Sequence, residues 1–201
     1  MIKYHNIEQK TDDWYAIRKG KFTASNAQAI GNAGKGLESY VVEVLASKME
    51  LKSDAYTNDD MDRGVELEEK ARMFYEKQTN TKVKLVGFVT NDKYENVGCS
   101  PDGLVGKNGL IEIKCPNNIN FFKLMLEPTV KPEYMWQIQM QLLITERKWC
   151  DYVCYNENFE KKMVVIRVFP DADMQNKLIA GFEKGNQLLI ELTNKIYDTK
   201  N

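Results

Sequence analysis

The run Cys99-Ser100-Pro101-Asp102-Gly103-Leu104, followed closely by Gly109-Leu110-Ile111-Glu112-Ile113-Lys114-Cys115-Pro116, restricts the fold of this chain more than any other segment. Two short extended stretches lie next to each other in sequence. Pro101-Asp102-Gly103 and Gly106 to Gly109 supply the turn chemistry, and Pro116 ends regular pairing. Side chains alternate across a strand, so Ile111 and Ile113 point one way and can bury, while Glu112 and Lys114 point together the other way. A strand with two charges on one face either lines a site or meets solvent. Ten residues separate Asp102 from Glu112. That distance covers a strand end, a tight turn and a return strand, so Asp102 comes back beside Glu112.

This trio has a definite chemistry. Asp102 and Glu112 offer hard oxygen donors suited to Mg²⁺ or Mn²⁺, with the backbone carbonyl of Ile113 as a further ligand. Such a cation polarises a phosphate and lowers the pKa of bound water. Lys114 then stands where an ammonium can position that water or stabilise developing charge. Taken alone, Glu-x-Lys also describes a half-exposed strand with a local ion pair. The preceding Pro-Asp-Gly favours the site reading.

The rest of the chain sets limits. Its 201 residues, 43% of them hydrophobic, suffice for one domain spanning 1–201. The formal charge of −1 leaves no global basic footprint, so any nucleic-acid contact must use local clusters such as Arg18, Lys19 and Lys21. No run of 18 apolar residues and no signal-peptide pattern occurs, which implies a soluble intracellular protein without membrane partners. Cys99, Cys115, Cys150 and Cys154 contain no Cys-x-x-Cys pair and read as reduced thiols. His5 is the only histidine, which argues against imidazole chemistry.

Periodicity outlines the elements. Thr11 caps a short helix carrying Trp14 and Ile17 on one face and stopped by Gly20, and a second short helix starts at Thr23 to Asn26. Gly31 to Gly36 reads as a flexible loop, Leu37 to Met49 as a helix, and 51–60 as a polar loop. Asp60 to Gln78 is a strong helix with Val65, Ala71, Phe74 and Tyr75 as apolar contacts, broken at Asn80. Val83 to Val89 makes a first strand, Val97 to Ser100 begins a second, and Leu110 to Lys114 is a third. Glu133 to Thr145 is a helix entered after Pro132. Cys150 to Tyr155 and Met163 to Val168 pair as strands. A helix over Asp171 to Ile196 is weakened at Gly181 and Gly185. This order gives an α/β (α+β) fold with a central mixed sheet flanked by helices.

The motifs Trp14 to Ser25, Arg63-Gly64 to Arg72, Cys99 to Leu104, Leu110 to Pro116 and Tyr134 to Gln141 together resemble the lambda-exonuclease group, or YqaJ-type viral recombinases, of the PD-(D/E)XK nuclease superfamily. The resemblance runs from about Asp12 to Val168. It implies a restriction-endonuclease-like core and a Mg²⁺-dependent (or Mn²⁺-dependent) exonuclease. Such an enzyme digests linear double-stranded DNA processively from 5′ to 3′, starting at ends that carry a 5′ phosphate. It further implies a homotrimeric ring, a single-strand annealing protein as partner in phage recombination, and action in the bacterial cytoplasm from a phage or prophage gene. Glu68 matches the family's helix carboxylate near the metals, although an i,i+4 pair with Arg72 would also explain it. Gln137 matches a glutamine facing the reacting phosphate, and Gln141 lies one turn further on the same face. Arg18, Ser25 and Ser100 match positions that hold the terminal 5′ phosphate. Ser25 as a helix cap and Arg18 as a surface charge are the plainer readings. The chain departs from the family around 31–36, around 51–60 and near its C-terminus, and is short for it. A structure- or site-specific endonuclease with the same metal core, and a non-catalytic DNA-binding module, are the alternatives.

Overall fold

A computed structural model describes residues 1–51 and 59–198, with the backbone course alone over 59–65. In chain order the elements are β1 (Ile2–His5), α1 (Asp12–Arg18), β2 (Phe22–Thr23), a 3-10 turn (Ala24–Asn26), α2 (Ala27–Asn32), α3 (Lys35–Met49), α4 (Asp59–Thr79), β3 (Val83–Lys84), β4 (Phe88–Asn91), β5 (Val97–Cys99), β6 (Gly103–Val105), β7 (Gly109–Lys114), α5 (Asn118–Leu126), α6 (Pro132–Thr145), β8 (Trp149–Tyr155), β9 (Met163–Val168) and α7 (Ala172–Asp198). Most of the expected 51–60 segment, and the side chains of Arg63 and Val65, lie outside the described residues.

The strands form two mixed sheets rather than one central sheet. One has the order β1-β4-β5-β2 and the other β3-β6-β7-β8-β9. The expected single strand over Val83 to Val89 is divided between them: β3 belongs to the five-stranded sheet and β4 to the four-stranded one. The chain crosses between sheets at Leu85-Val86-Gly87 and returns at Ser100-Pro101-Asp102. Both crossings are marked by residues that a regular strand interior disfavours. A Cβ on Gly87 would lie 2.1 Å from the Ile7 carbonyl oxygen, and Pro101 removes a ladder donor. Long-range hydrogen bonds clasp the two crossings together. The Gln9 amide donates to the carbonyls of Val86 (2.9 Å) and Pro101 (3.0 Å), and the Trp14 indole to the Gly87 carbonyl (3.0 Å) and Ser100 Oγ (2.9 Å).

Side-chain alternation then places the core. On one face of the five-stranded sheet, Leu110, Cys150, Tyr152 and Cys154 join a large cluster with Ile138 and Leu142 of α6 and Leu178 and Phe182 of α7. On the other face, Val105, Ile111, Ile113, Val153 and Tyr155 pack on Ala71 and Tyr75 of α4. The expected burial of Ile111, Ile113, Ala71 and Tyr75 is therefore observed.

Other expectations are corrected by packing. Gly31 to Gly36 is not a flexible loop: α2 runs through Gly31, α3 starts at Lys35, and only Ala33 (φ 49°) and Gly34 intervene. Gly31 is small because a Cβ there would lie 2.3 Å from the Trp136 ring. The glycines of α7 do not interrupt it. They let the helix backbone approach Ile30, whose carbonyl oxygen would sit 2.2 Å from a Cβ on Gly181, and Phe22, 2.8 Å from one on Gly185. β1, β2 and α5 are additions to the expected set. α5 hides behind an asparagine-rich start that looks like a loop, yet Asn117 caps it by accepting from the Asn120 amide (3.0 Å), and Phe121 is fully buried. Among the described residues no helix is long and apolar enough to cross a membrane.

Candidate active site

The second crossing between the sheets delivers Asp102 to the end of β7. Its Oδ2 accepts from the Ile113 amide at 2.6 Å, so the ten-residue return expected from the sequence is closed by a direct hydrogen bond. Glu112 and Lys114 point together to the α6 side of the sheet, and the Lys114 ammonium donates to Glu112 Oε1 at 2.6 Å. Glu112 is 1% exposed and Lys114 27%. Two amides of α6 reach the same carboxylate. Gln137 donates to Oε1 and Gln141 to Oε2, each at 2.8 Å. Their spacing of one helical turn suits the two oxygens of one carboxylate.

This arrangement locks Glu112. Oε1 accepts two hydrogen bonds and Oε2 one, so the remaining lone pair of the carboxylate lies on Oε2. Asp102 Oδ1 carries no hydrogen bond among the described residues. Burial pushes the Asp102 carboxyl well above the usual range, and the nearby negative charges of Glu112 and Glu68 push it further. Burial works against the Lys114 ammonium, but the Glu112 and Asp102 carboxylates outweigh it and hold its pKa above the ordinary lysine value. Lys114 also lies 4.8 Å from the centroid of the Tyr134 ring.

Glu68 lies on α4 and lines, with Asp102, Glu69 and Arg72, a cleft of about 530 Å³. Its ion partner is Lys10 (3.3 Å), while Arg72 pairs with Glu69 (3.6 Å). The i,i+4 pair of Glu68 with Arg72 is thus not formed. No three His, Cys, Asp or Glu side chains among the described residues already enclose an ion-sized point. All four cysteines are free, and burial raises each thiol's pKa, Cys115 to about 12.

Arg18 and Ser100 meet as expected, Nη1 donating to Oγ at 3.3 Å. The guanidinium stacks 4.0 Å over Trp14, whose indole N–H also donates to Ser100 Oγ. With two donors already on its oxygen, Ser100 can turn its own O–H outward. Burial lowers the Arg18 pKa, and no carboxylate pairs with it among the described residues. Ser25 is exposed and faces Thr23 Oγ1 (3.1 Å) rather than Arg18. Parallel pairing of Phe22 with Val97 and Thr23 with Gly98 nevertheless sends Ser25 and Ser100 out of the same end of that sheet.

Sequence reasoning missed Gln9, Lys10 and Trp14 as parts of the site. Only Trp14 left a local signal, a helical i,i+4 spacing with Arg18 that suits a cation–π contact. Gln9 and Lys10 act over separations of more than fifty residues.

A buried, donor-gripped carboxylate beside a second acid and an ammonium, built where two sheets exchange strands, defines a class. The chain belongs to the YqaJ-like viral recombinase domain family, whose profile it matches over residues 13–148. It is similar to the crystal structure of LHK-Exo, an alkaline exonuclease from Laribacter hongkongensis, with a TM-score of 0.82 and 32% identity covering 94% of this chain and 100% of that one. The same protein in complex with dAMP gives the same match. A phage-related exonuclease from Haemophilus somnus 129PT shares the fold, with a TM-score of 0.68 and 17% identity over 88% of this chain and 96% of that one. An uncharacterised protein, R354 of Acanthamoeba polyphaga mimivirus, is 24% identical over 215 residues, covering 96% of this chain. The chain spans only 37% of the length of that relative.

Proposed function

We propose that this chain is a divalent-metal-dependent deoxyribonuclease that removes nucleotides from the 5′ ends of linear double-stranded DNA. Residues 1–201 act in it as one nuclease domain. The observation that carries this reading is the convergence of Asp102, Glu112 and Lys114 at the strand crossing, two residues from Ser100 and its partner Arg18. The 32% identity with LHK-Exo supports exonuclease action, and the dAMP complex of that relative supports a nucleoside monophosphate product.

The residues present fit a hard cation. Asp102 Oδ1 and the free lone pair of Glu112 Oε2 are oxygen donors, and burial first, then the charges of Glu112 and Glu68, raise the Asp102 pKa, a cost that a dication would relieve. Asp102, Glu112 and the Ile113 carbonyl would hold Mg²⁺ or Mn²⁺, with Glu68 lining the adjoining cleft. When bound, the ion supplies a polarised phosphate and a more acidic water. Gln137 and Gln141 fix Glu112 in one orientation, so the site needs little reorganisation. Lys114 supplies positive charge where the pentacovalent phosphorane gathers negative charge. Arg18, Ser100 and Ser25 receive a terminal 5′ phosphate by charge-assisted and hydroxyl hydrogen bonds. Membership of a viral recombinase family supports a role in phage recombination; the motif resemblance adds to the proposal a homotrimeric ring, processive digestion and a single-strand annealing protein as partner inside the bacterial host.

The test uses linear duplexes labelled at either end, with and without a 5′ phosphate, and a closed circular duplex, all with Mg²⁺. Mononucleotide release from 5′-phosphorylated ends, with circles intact, is expected. Cutting of circles would identify an endonuclease, and release starting at 3′ ends would overturn the polarity. Binding without any cleavage would leave a DNA-binding module.

A further inference from the structure

Three clefts border the end of β7, and their charges differ. The acidic cleft, about 530 Å³, is lined by four carboxylates (Glu8, Glu68, Glu69 and Asp102) against Lys10 and Arg72. A second, about 660 Å³, has Glu157 as its single charged residue. The third, about 420 Å³, opens between α5 and α6 on the far side of Lys114 and is lined by Lys114, Lys123 and Lys131 against Glu127. Without a bound dication the first repels a polyanionic strand, the second adds nothing to its binding, and the third attracts it.

The basic cleft is also arranged in advance. Tyr134 stacks on Tyr152 with centroids 5.8 Å apart, and its ring has the Lys114 ammonium at 4.8 Å and the Lys131 ammonium at 5.9 Å. The two cations are thereby gathered on one aromatic platform. Lys131 meets Glu133 only at 4.0 Å, and Lys123 has no carboxylate within ion-pair distance among the described residues. These ammoniums are therefore available to an external anion.

We infer that the cleft between α5 and α6 holds the backbone phosphates on the 3′ side of the cut, with Lys123 and Lys131 as their contacts. The inference rests on the nuclease reading above. Its direction comes from chain geometry. Ser100 and Arg18 lie on the Asp102 side of the site, and a strand whose 5′ phosphate rests there passes Asp102 and Glu112 before leaving beyond Lys114. Lys123 and Lys131 would thus bind the substrate and leave the chemistry to the residues deeper in the site.

The experiment compares the wild type with Lys123→Gln/Lys131→Gln and with a charge-matched control, Lys107→Gln/Lys148→Gln, at the opposite ends of β7 and β8. Binding of a 5′-phosphorylated duplex is followed by fluorescence anisotropy in EDTA over a range of KCl. Losing two phosphate contacts should reduce the slope of log K against log salt by about 1.4–1.8, with the control unchanged. With Mg²⁺, the KM of the variant should rise about tenfold or more while kcat stays within about twofold. Replacing single phosphates on the 3′ side by neutral methylphosphonates should weaken the wild type about tenfold and leave the double variant unaffected. An unchanged slope and KM, or equal sensitivity of both proteins to the neutral linkage, overturns the inference. If the wild type itself releases no nucleotide from the same duplex, the nuclease reading fails instead.

Discussion

Replacing Lys114 by Met isolates the energetics of the site. Glu112 is 1% exposed, and its Oε1 sits 2.6 Å from the Lys114 ammonium. For opposite unit charges about 4 Å apart at an effective dielectric constant of about 20, the attraction is about 4 kcal/mol. Methionine keeps the stem volume but removes the charge, leaving a buried carboxylate held by Gln137 and Gln141 alone. Those amides retain part of its solvation, so the net loss should be about 2–3 kcal/mol, below the range for an ion left wholly unpaired. For a chain of this size that lowers Tm by about 4–12 °C. Thermal and urea unfolding in EDTA measure it, so that metal binding does not contribute. Adding Glu112→Gln to Lys114→Met removes the stranded charge, and the double variant should be more stable than Lys114→Met by about 1 kcal/mol or more. Both variants should be folded at 25 °C and slower in cleavage by at least about a hundredfold. A Lys114→Met protein as stable as the wild type, or a double variant less stable than the single one, would refute the claim that Lys114 compensates the charge of Glu112.

Asp102→Asn should abolish Mg²⁺-dependent cleavage yet stabilise the metal-free protein at neutral pH, because it removes a carboxylate that burial, Glu112 and Glu68 disfavour. The folded Asp102 binds its proton more tightly than the unfolded one. Its contribution therefore favours folding in acid and is lost as pH rises from about 4 through its elevated folded pKa. The Asn variant should gain on the wild type between pH 5 and pH 7 in urea titrations, and a parallel pH response would count against the shift. Arg18→Ala should reduce the preference for 5′-phosphorylated over 5′-hydroxyl ends by about tenfold or more in competition assays, and an intact preference would remove its phosphate role. Gly181→Ala should cost about 1–3 kcal/mol in urea unfolding, since the new Cβ meets the Ile30 carbonyl at 2.2 Å and backbone cannot give way as a side-chain tip can.

Much of the site was legible in local sequence because strand alternation is a local rule. Glu112 and Lys114 had to share a face, and Ile111 and Ile113 had to share the other. The i,i+4 spacing of Gln137 and Gln141 likewise put both amides on one stripe. Helices such as α3, α4 and α6 followed from periodicity and their breakers. Apart from α5, whose local asparagine cap reads as a loop, the failures come mainly from contact between segments distant in sequence. Gly31, Gly181 and Gly185 looked like flexible or weak points, but each removes a Cβ where another element packs. β1 and β2 are too short to show a pattern of their own and exist through pairing with β4 and β5.

What the sequence by itself determined is the chemistry on offer: two carboxylates, an ammonium, and an arginine and a serine able to donate hydrogen bonds, on elements whose periodicity is local. The tertiary structure decided how those groups are used. It split Val83 to Val89 between two sheets, brought the two crossings together under Gln9 and Trp14, and turned both glutamines of α6 onto Glu112. It also replaced the i,i+4 partner of Glu68 with Lys10. Local steric rules determine which face a side chain takes. Only the closure of the chain determines which distant group it meets there.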